Sequence, residues 1–220
     1  MKKIFASIML IASMFAFASC NDDDQPRVPT YIGMGTLDKP ADQYTLAIDG
    51  GSTCVIPDSS LLVYNKVNQP GKRVIALFSY VSDRREEKVI YLQDVKGVLT
   101  KPLAAKPTSP QEDQELGNNR IRIDRAWMGG GFLNVKFYYL SDGMSGNPHY
   151  INAYDTGEID KDGDRIIEMR HNANGHQPVY VSYASYVSFS MPGLEDAKTN
   201  FKLRYRYNDK ELRIIDVDEK

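Results

Sequence analysis

Apolar and polar residues alternate with a period of two in run after run of this chain. A strand needs that period, and a helix cannot use it. Phe201, Leu203, Tyr205 and Tyr207 alternate strictly with Lys202, Arg204 and Arg206. Leu133, Val135, Phe137 and Tyr139 do the same against Asn134, Lys136 and Tyr138. Arg120-Ile121-Arg122-Ile123-Asp124 repeats the pattern, with the isoleucines facing a core. No stretch shows a clear 3.6-residue period. The expected fold class is all-β.

Turn chemistry divides these runs into two blocks. In the first, Tyr44, Leu46 and Ile48 alternate, Asp49-Gly50-Gly51 turns the chain, and Thr53 to Ile56 resumes, which is a hairpin pattern. Lys72 to Ser82 has apolar residues on both faces, with Ile75, Leu77 and Val81 opposite Val74, Ala76 and Phe78. It reads as a strand buried on both sides. Lys88 to Asp94 follows, and Val95 to Lys101 reads as the block's last strand. Short strands with close turns suggest a small barrel. Prolines 102, 107 and 110 and the acidic run Gln111 to Glu115 then mark an exposed linker. The second block, with at least six strands and tight turns, predicts an antiparallel β-sandwich. The expected division is a leader over 1–19, a tether over 20–30, a barrel over 31–107, a linker over 108–117 and a sandwich over 118–220.

The first two dozen residues have a different character. Lys2 and Lys3 precede an apolar run from Ile4 to Ala18, too short for the ~20 residues of a spanning helix. Phe17-Ala18-Ser19-Cys20 resembles a bacterial lipobox, although Phe stands where Leu is commonest. Cleavage between Ser19 and Cys20, with acylation of the Cys20 thiol, is the expected processing. Asn21-Asp22-Asp23-Asp24 resembles the acidic export signal of surface lipoproteins in Bacteroidetes-type bacteria. Each buried CH₂ of an acyl chain contributes roughly 0.8 kcal/mol, so several chains hold firmly where one holds marginally. The expected location is the outer membrane, lipid-anchored and surface-exposed. With Cys20 acylated, Cys54 has no cysteine partner within the chain, and its strand-like surroundings read as a buried, inert thiol.

The sequence carries 27 basic and 29 acidic residues. Cleavage removes Lys2 and Lys3, leaving 25 against 29, a formal −4. That balance argues against nucleic acid as a partner. Asp160-Lys161-Asp162-Gly163-Asp164 presents alternate carboxylates, and Asp160, Asp162 and Asp164 are the candidate ligands for Ca²⁺. An EF-type loop wants its Gly sixth and an acid twelfth, whereas here Gly is fourth and the twelfth residue is His171. A charged turn is the plainer reading, and no cofactor is expected. His149, His171 and His176 lack the spacing of a zinc site. Tyr180, Tyr183 and Tyr186 recur every three residues, so at least one should face solvent, where a ring can stack on a sugar or anchor a peptide. Lys202, Arg204, Arg206, Arg120 and Arg122 form a basic strip only if their strands neighbour; protection of strand faces is the plainer role. There is no nucleophile elbow, phosphate loop or His-Glu-x-x-His helix.

In order, these motifs resemble the NigD-like lipoproteins of Bacteroides and its relatives. Lys72 to Phe78 and Val98 to Lys101 resemble their OB-like N-terminal domain. Trp127-Met128-Gly129-Gly130-Gly131-Phe132-Leu133-Asn134-Val135, Met169 to Asn172, Tyr186 to Met191 and Phe201 to Tyr205 resemble their C-terminal β-sandwich. The resemblance implies an OB-like barrel followed by a sandwich, and supplies no catalytic residues. The family takes its name from a gene near a bacteriocin gene, which implies genomic company rather than an activity. The expectation is a non-enzymatic, lipid-anchored envelope protein with an envelope-protein or glycan partner. The alternatives are a surface glycoside or peptide hydrolase with dispersed carboxylates, and a bacteriocin-linked immunity or accessory protein.

Overall fold

The computed structural model describes residues 28–83, 87–141, 148–175, 181–194 and 200–218. Five strands close the barrel: β1 (Tyr31–Asp38), β2 (Tyr44–Ile48), β3 (Thr53–Ile56), β4 (Arg73–Asp83) and β5 (Lys88–Gly97). Their order, β1-β2-β3-β5-β4, is that of an OB barrel. β3 runs parallel to β5, and the other pairs are antiparallel. Breaks in register between Leu77 and Phe78 and between Tyr80 and Ser82 fall in β4, the strand that pairs on both sides to close the barrel. Leu37, Leu46, Cys54, Val74, Phe78 and Ile90 fill the interior. The short helix α1 (Ser60–Tyr64) buries Leu62 against them.

β4 departs from its expected burial. Its Val74, Ala76 and Phe78 face is buried, but Val81 is 69% exposed. Of the apolar residues on that second face, Ile75 is the one that packs on the junction with the sandwich.

The second body is a sandwich of two four-stranded sheets. One holds β6 (Leu99–Pro102), β11 (Val181–Ser190), β8 (Phe132–Ser141) and β7 (Arg122–Gly129), in that order. The other holds β13 (Leu212–Asp216), β12 (Phe201–Arg206), β10 (Arg165–Asn172) and β9 (Tyr150–Ile159). Leu133, Val135, Phe137, Ile167, Met169 and Phe189 fill the space between them. Most pairs are antiparallel, as expected, but β6 runs parallel to β11 and β10 parallel to β12. β6 corrects the expected barrel block. The run Val95 to Lys101 is two strands, and the second leaves the barrel at Val98 to extend the sandwich. The stretch expected as an exposed linker contains the helix α2 (Pro110–Leu116), which lies against the outer face of β10. Arg170 holds it there: Nη1 donates to Asp113 Oδ1 (2.8 Å) and Nε to Gly117 O (2.6 Å).

Barrel and sandwich meet across a buried polar network. Arg73, fully buried, donates from both Nη atoms to Asp49 (2.6 and 2.5 Å) and from Nη2 to Asn134 Oδ1 (2.9 Å). Ser188 Oγ donates to the same oxygen (2.7 Å). Met34, Val98 and Trp127 pack beside it with Tyr186. The glycines of the β7–β8 turn make this approach possible. A Cβ at Gly130, where φ is +61°, would sit 2.5 Å from Asp49 Oδ1 and 2.6 Å from Arg73 Nη1.

Candidate functional site

The candidate site lies at the end of the sandwich away from the barrel's polar network. Inward positions two residues apart lead into it: Tyr139 follows Phe137 on β8, and His171 follows Met169 on β10. Tyr139 stacks on Tyr183 (centroids 5.8 Å apart) and lies 4.5 Å from the ring of His149. His149 and His171 stack within 15° of parallel, with His149 Nδ1 2.8 Å from His171 Nε2. His171 Nδ1 lies 3.2 Å from Arg120 O. A carbonyl only accepts, so His171 carries its proton on Nδ1 and accepts on Nε2 from His149. Burial pushes His171 down to about 4; the nearby His149 adds to this, and the bond to Arg120 opposes it. At neutral pH His171 is therefore uncharged. Among the described residues no group of three His, Cys, Asp or Glu side chains is placed to hold a metal ion, and His176 lies outside them.

Two adjoining clefts flank the stretch that leads into β7. The larger, about 310 Å³, has Tyr138, Tyr139 and Tyr207 in its walls with Arg120 and Arg122. The smaller, about 200 Å³, is lined by Asn118, Asn119, Asp209 and His171. Arg120 and Leu140 belong to both. Arg122 lies over the Tyr138 ring at 4.4 Å, and Arg213 over Tyr207 at 3.3 Å. One half is thus cationic and aromatic, and the other offers amides and one carboxylate.

The residues singled out from sequence are dispersed. Asp160, Asp162 and Asp164 lie in the β9–β10 turn, where Asp160 Oδ1 accepts from the backbone N–H groups of Asp162 and Asp164 (2.8 and 2.9 Å). The place a cation would take among them is filled by Lys202 Nζ, 2.5, 3.5 and 3.1 Å from the three carboxylates. Its ammonium holds Asp160 down to about 2. Tyr183 is partly exposed at the candidate site, but Tyr186 packs into the barrel–sandwich junction. Strand alternation sends the two to opposite faces of β11. Tyr180, Ser19 and Cys20 lie outside the described residues. The basic strip is not continuous. Lys202 and Arg204 are held by carboxylates on one sheet, whereas Arg120 and Arg122 lie at the start of β7 in the other. Cys54 is buried in the barrel core, its Sγ 3.7 Å from Ser52 O. Sequence reading passed over the clefts because their walls come from four separate strands and a turn.

Residues 104–217 match the family described as the NigD-like C-terminal beta sandwich domain. The chain belongs to the NigD-like family. The matched NigD-like span begins just after β6, the strand that the first block contributes to the sandwich. The fold is similar to that of a protein of Parabacteroides distasonis described as toxin-related, with 22% identity, 86% of this chain and 92% of that one covered, and a TM-score of 0.69. It is similar to a NigD-like immunity protein of Bacteroides caccae, with 18% identity, 87% and 93% covered, and a TM-score of 0.61. It is also similar to a protein of Bacteroides fragilis described as a lipoprotein, with 10% identity, 87% and 99% covered, and a TM-score of 0.61. At these identities the likeness is one of fold. Among curated proteins none matches the chain.

Proposed function

We propose that this protein is a lipid-anchored, non-enzymatic binding or accessory component of the cell envelope. The observation that carries the reading is the leader, whose apolar run ends at Phe17-Ala18-Ser19-Cys20 and is followed at once by Asn21-Asp22-Asp23-Asp24. Acylated Cys20 holds the chain on the outer membrane, and the acidic tract directs it to the cell surface. The segment Gln25 to Thr30, with two prolines, spaces the folded part from the lipid. The clefts support binding over hydrolysis. Among the described residues lining them Asp209 is the one carboxylate, whereas glycoside hydrolysis uses a facing pair.

Fractionation of cells carrying wild type and Cys20→Ser tests the anchor. Wild type should partition with membranes and the variant should not; a mature-size variant that stays with membranes overturns the reading. Protease shaving of intact cells should degrade the wild-type protein. A second reading, an immunity-type accessory role, is favoured by the fold shared with the NigD-like immunity protein of Bacteroides caccae. A secreted bacteriocin recovered with this protein from intact cells would support it.

A further inference from the structure

We propose that the paired clefts at the end of the sandwich away from the barrel bind an acidic glycan. In this arrangement a uronic-acid carboxylate docks on Arg120 and Arg122, and sugar rings lie against the tyrosines. The proposal rests on the binding reading above and gives it a ligand class.

The distribution of arginines is the first observation. Nine are placed among the described residues, and six of them hold carboxylates: Arg73, Arg125, Arg165, Arg170, Arg204 and Arg213. The other three, Arg120, Arg122 and Arg206, have no carboxylate partner among the described residues, and all three lie at this end of the sandwich. Among the described residues Arg206 donates to neutral acceptors, Asn118 Oδ1 (3.1 Å) and Asp209 O (3.3 Å). Arg122 lies over a tyrosine ring, and Arg120 shapes the wall common to both clefts. The chain as a whole carries an excess of acid. Among the described residues the guanidinium charge without a carboxylate is therefore concentrated where a concave, aromatic surface also lies. A guanidinium is planar, weakly hydrated and matched to the two oxygens of a carboxylate.

The walls then select among anions. Tyr138, Tyr139 and Tyr207 line the larger cleft and give it the aromatic wall that the C–H groups of a pyranose pack against. The smaller cleft, with Asn118, Asn119 and Asp209, offers donors and acceptors for hydroxyls. Asp209 would repel a second anion there, so the ligand's charge belongs in the larger cleft and its hydroxyls in the smaller. A small free anion would leave half the surface unused. A peptide adding as a strand would need open backbone groups, and those at the entry to β7 are taken. Asn119 N donates to His171 O (2.8 Å), Ile121 N donates to Arg206 O (2.9 Å), and Arg120 O accepts from His171.

The test titrates the full-length protein, purified in detergent, with trigalacturonate, with neutral galactotriose and with triglutamate, by calorimetry. Trigalacturonate should bind saturably, at least tenfold more tightly than either other probe, and more weakly as salt rises. Arg120→Gln and Arg122→Gln should each weaken it about tenfold with unchanged melting temperature. Exposed, remote Lys161→Gln should leave it unchanged. No saturation by ~10 mM trigalacturonate overturns the proposal. So does equal binding of galactotriose or of triglutamate, or full affinity in the Arg120→Gln/Arg122→Gln double variant. Failure of the anchor reading shows separately in cell fractionation, which these titrations do not touch.

Discussion

Lys202 decides how the acidic β9–β10 turn behaves. Three carboxylates that look like metal ligands in sequence surround an ammonium contributed from β12. Because Asp160 is held at about 2, below its unfolded value near 4, the contact stabilises the fold above pH ~4 and is lost as pH falls towards 2. Urea midpoints measured from pH 6 to pH 2.5 should show that loss in wild type and a smaller one in Lys202→Met. His171 acts in a higher window. Its folded value, about 4, lies below the ordinary 6.5, so the fold is favoured fully above pH 6.5 and progressively less down to pH 4. The change is roughly 3 kcal/mol across that window, and a flat urea-midpoint profile in His171→Gln would confirm its origin. The Asp trio was legible in the sequence because its members are adjacent. Its partner was not, because Lys202 arrives through the parallel register that sets it opposite Ile166. His149 and His171 were likewise separated by a whole strand and a turn, and nothing local signals that their rings stack.

Elements were legible where alternation is long, as in β8 and β12, and illegible where a single residue separates strands of the two bodies. Val95 to Lys101 reads as one strand, yet Gly97 ends β5 and Leu99 begins a strand of the other domain. Val98 marks the break: its N–H bonds to Arg73 O (2.9 Å), and its side chain packs in the junction. The boundary is therefore testable with fragments. One beginning at residue 98 keeps β6 on the edge of β11, whereas one beginning at residue 108 leaves that edge open to other chains. The shorter fragment should melt ~10 °C or more lower by circular dichroism, and should aggregate. The α2 helix escaped notice for another reason: seven residues span too little chain for a 3.6-residue period to register. Its start is nonetheless written locally. Ser109 Oγ accepts from Glu112 N (3.2 Å), while Glu112 Oε2 accepts from Thr108 N (2.7 Å). Ser109→Ala should lower stability by ~1 kcal/mol in urea melts.

At the scale of the molecule, two β bodies become one through Arg73 and Asp49, which belong to the barrel, and Asn134 and Ser188, which belong to the sandwich. Taking one member away strands the others in a place water does not reach. Removing one partner of a buried pair costs about 3–5 kcal/mol, so Asp49→Ala should destabilise the protein on that scale. Asn134→Ala is the more informative change, because it leaves the ion pair whole and removes the acceptor on the sandwich side, together with the donations of Asn134 Nδ2 to Gly129 O (3.1 Å) and Phe132 O (3.2 Å) in the β7–β8 turn. The single tryptophan, Trp127, sits in the junction and reports on it directly. In wild type, Trp127 fluorescence and far-ultraviolet circular dichroism should follow one thermal transition, since neither body can open the junction without exposing the network. In Asn134→Ala the fluorescence change should come first, at a lower temperature, with strand signal lost later. Coincident curves in the variant would mean that the Met34, Val98 and Tyr186 contacts alone weld the two bodies, and that the polar network sets their alignment rather than their union.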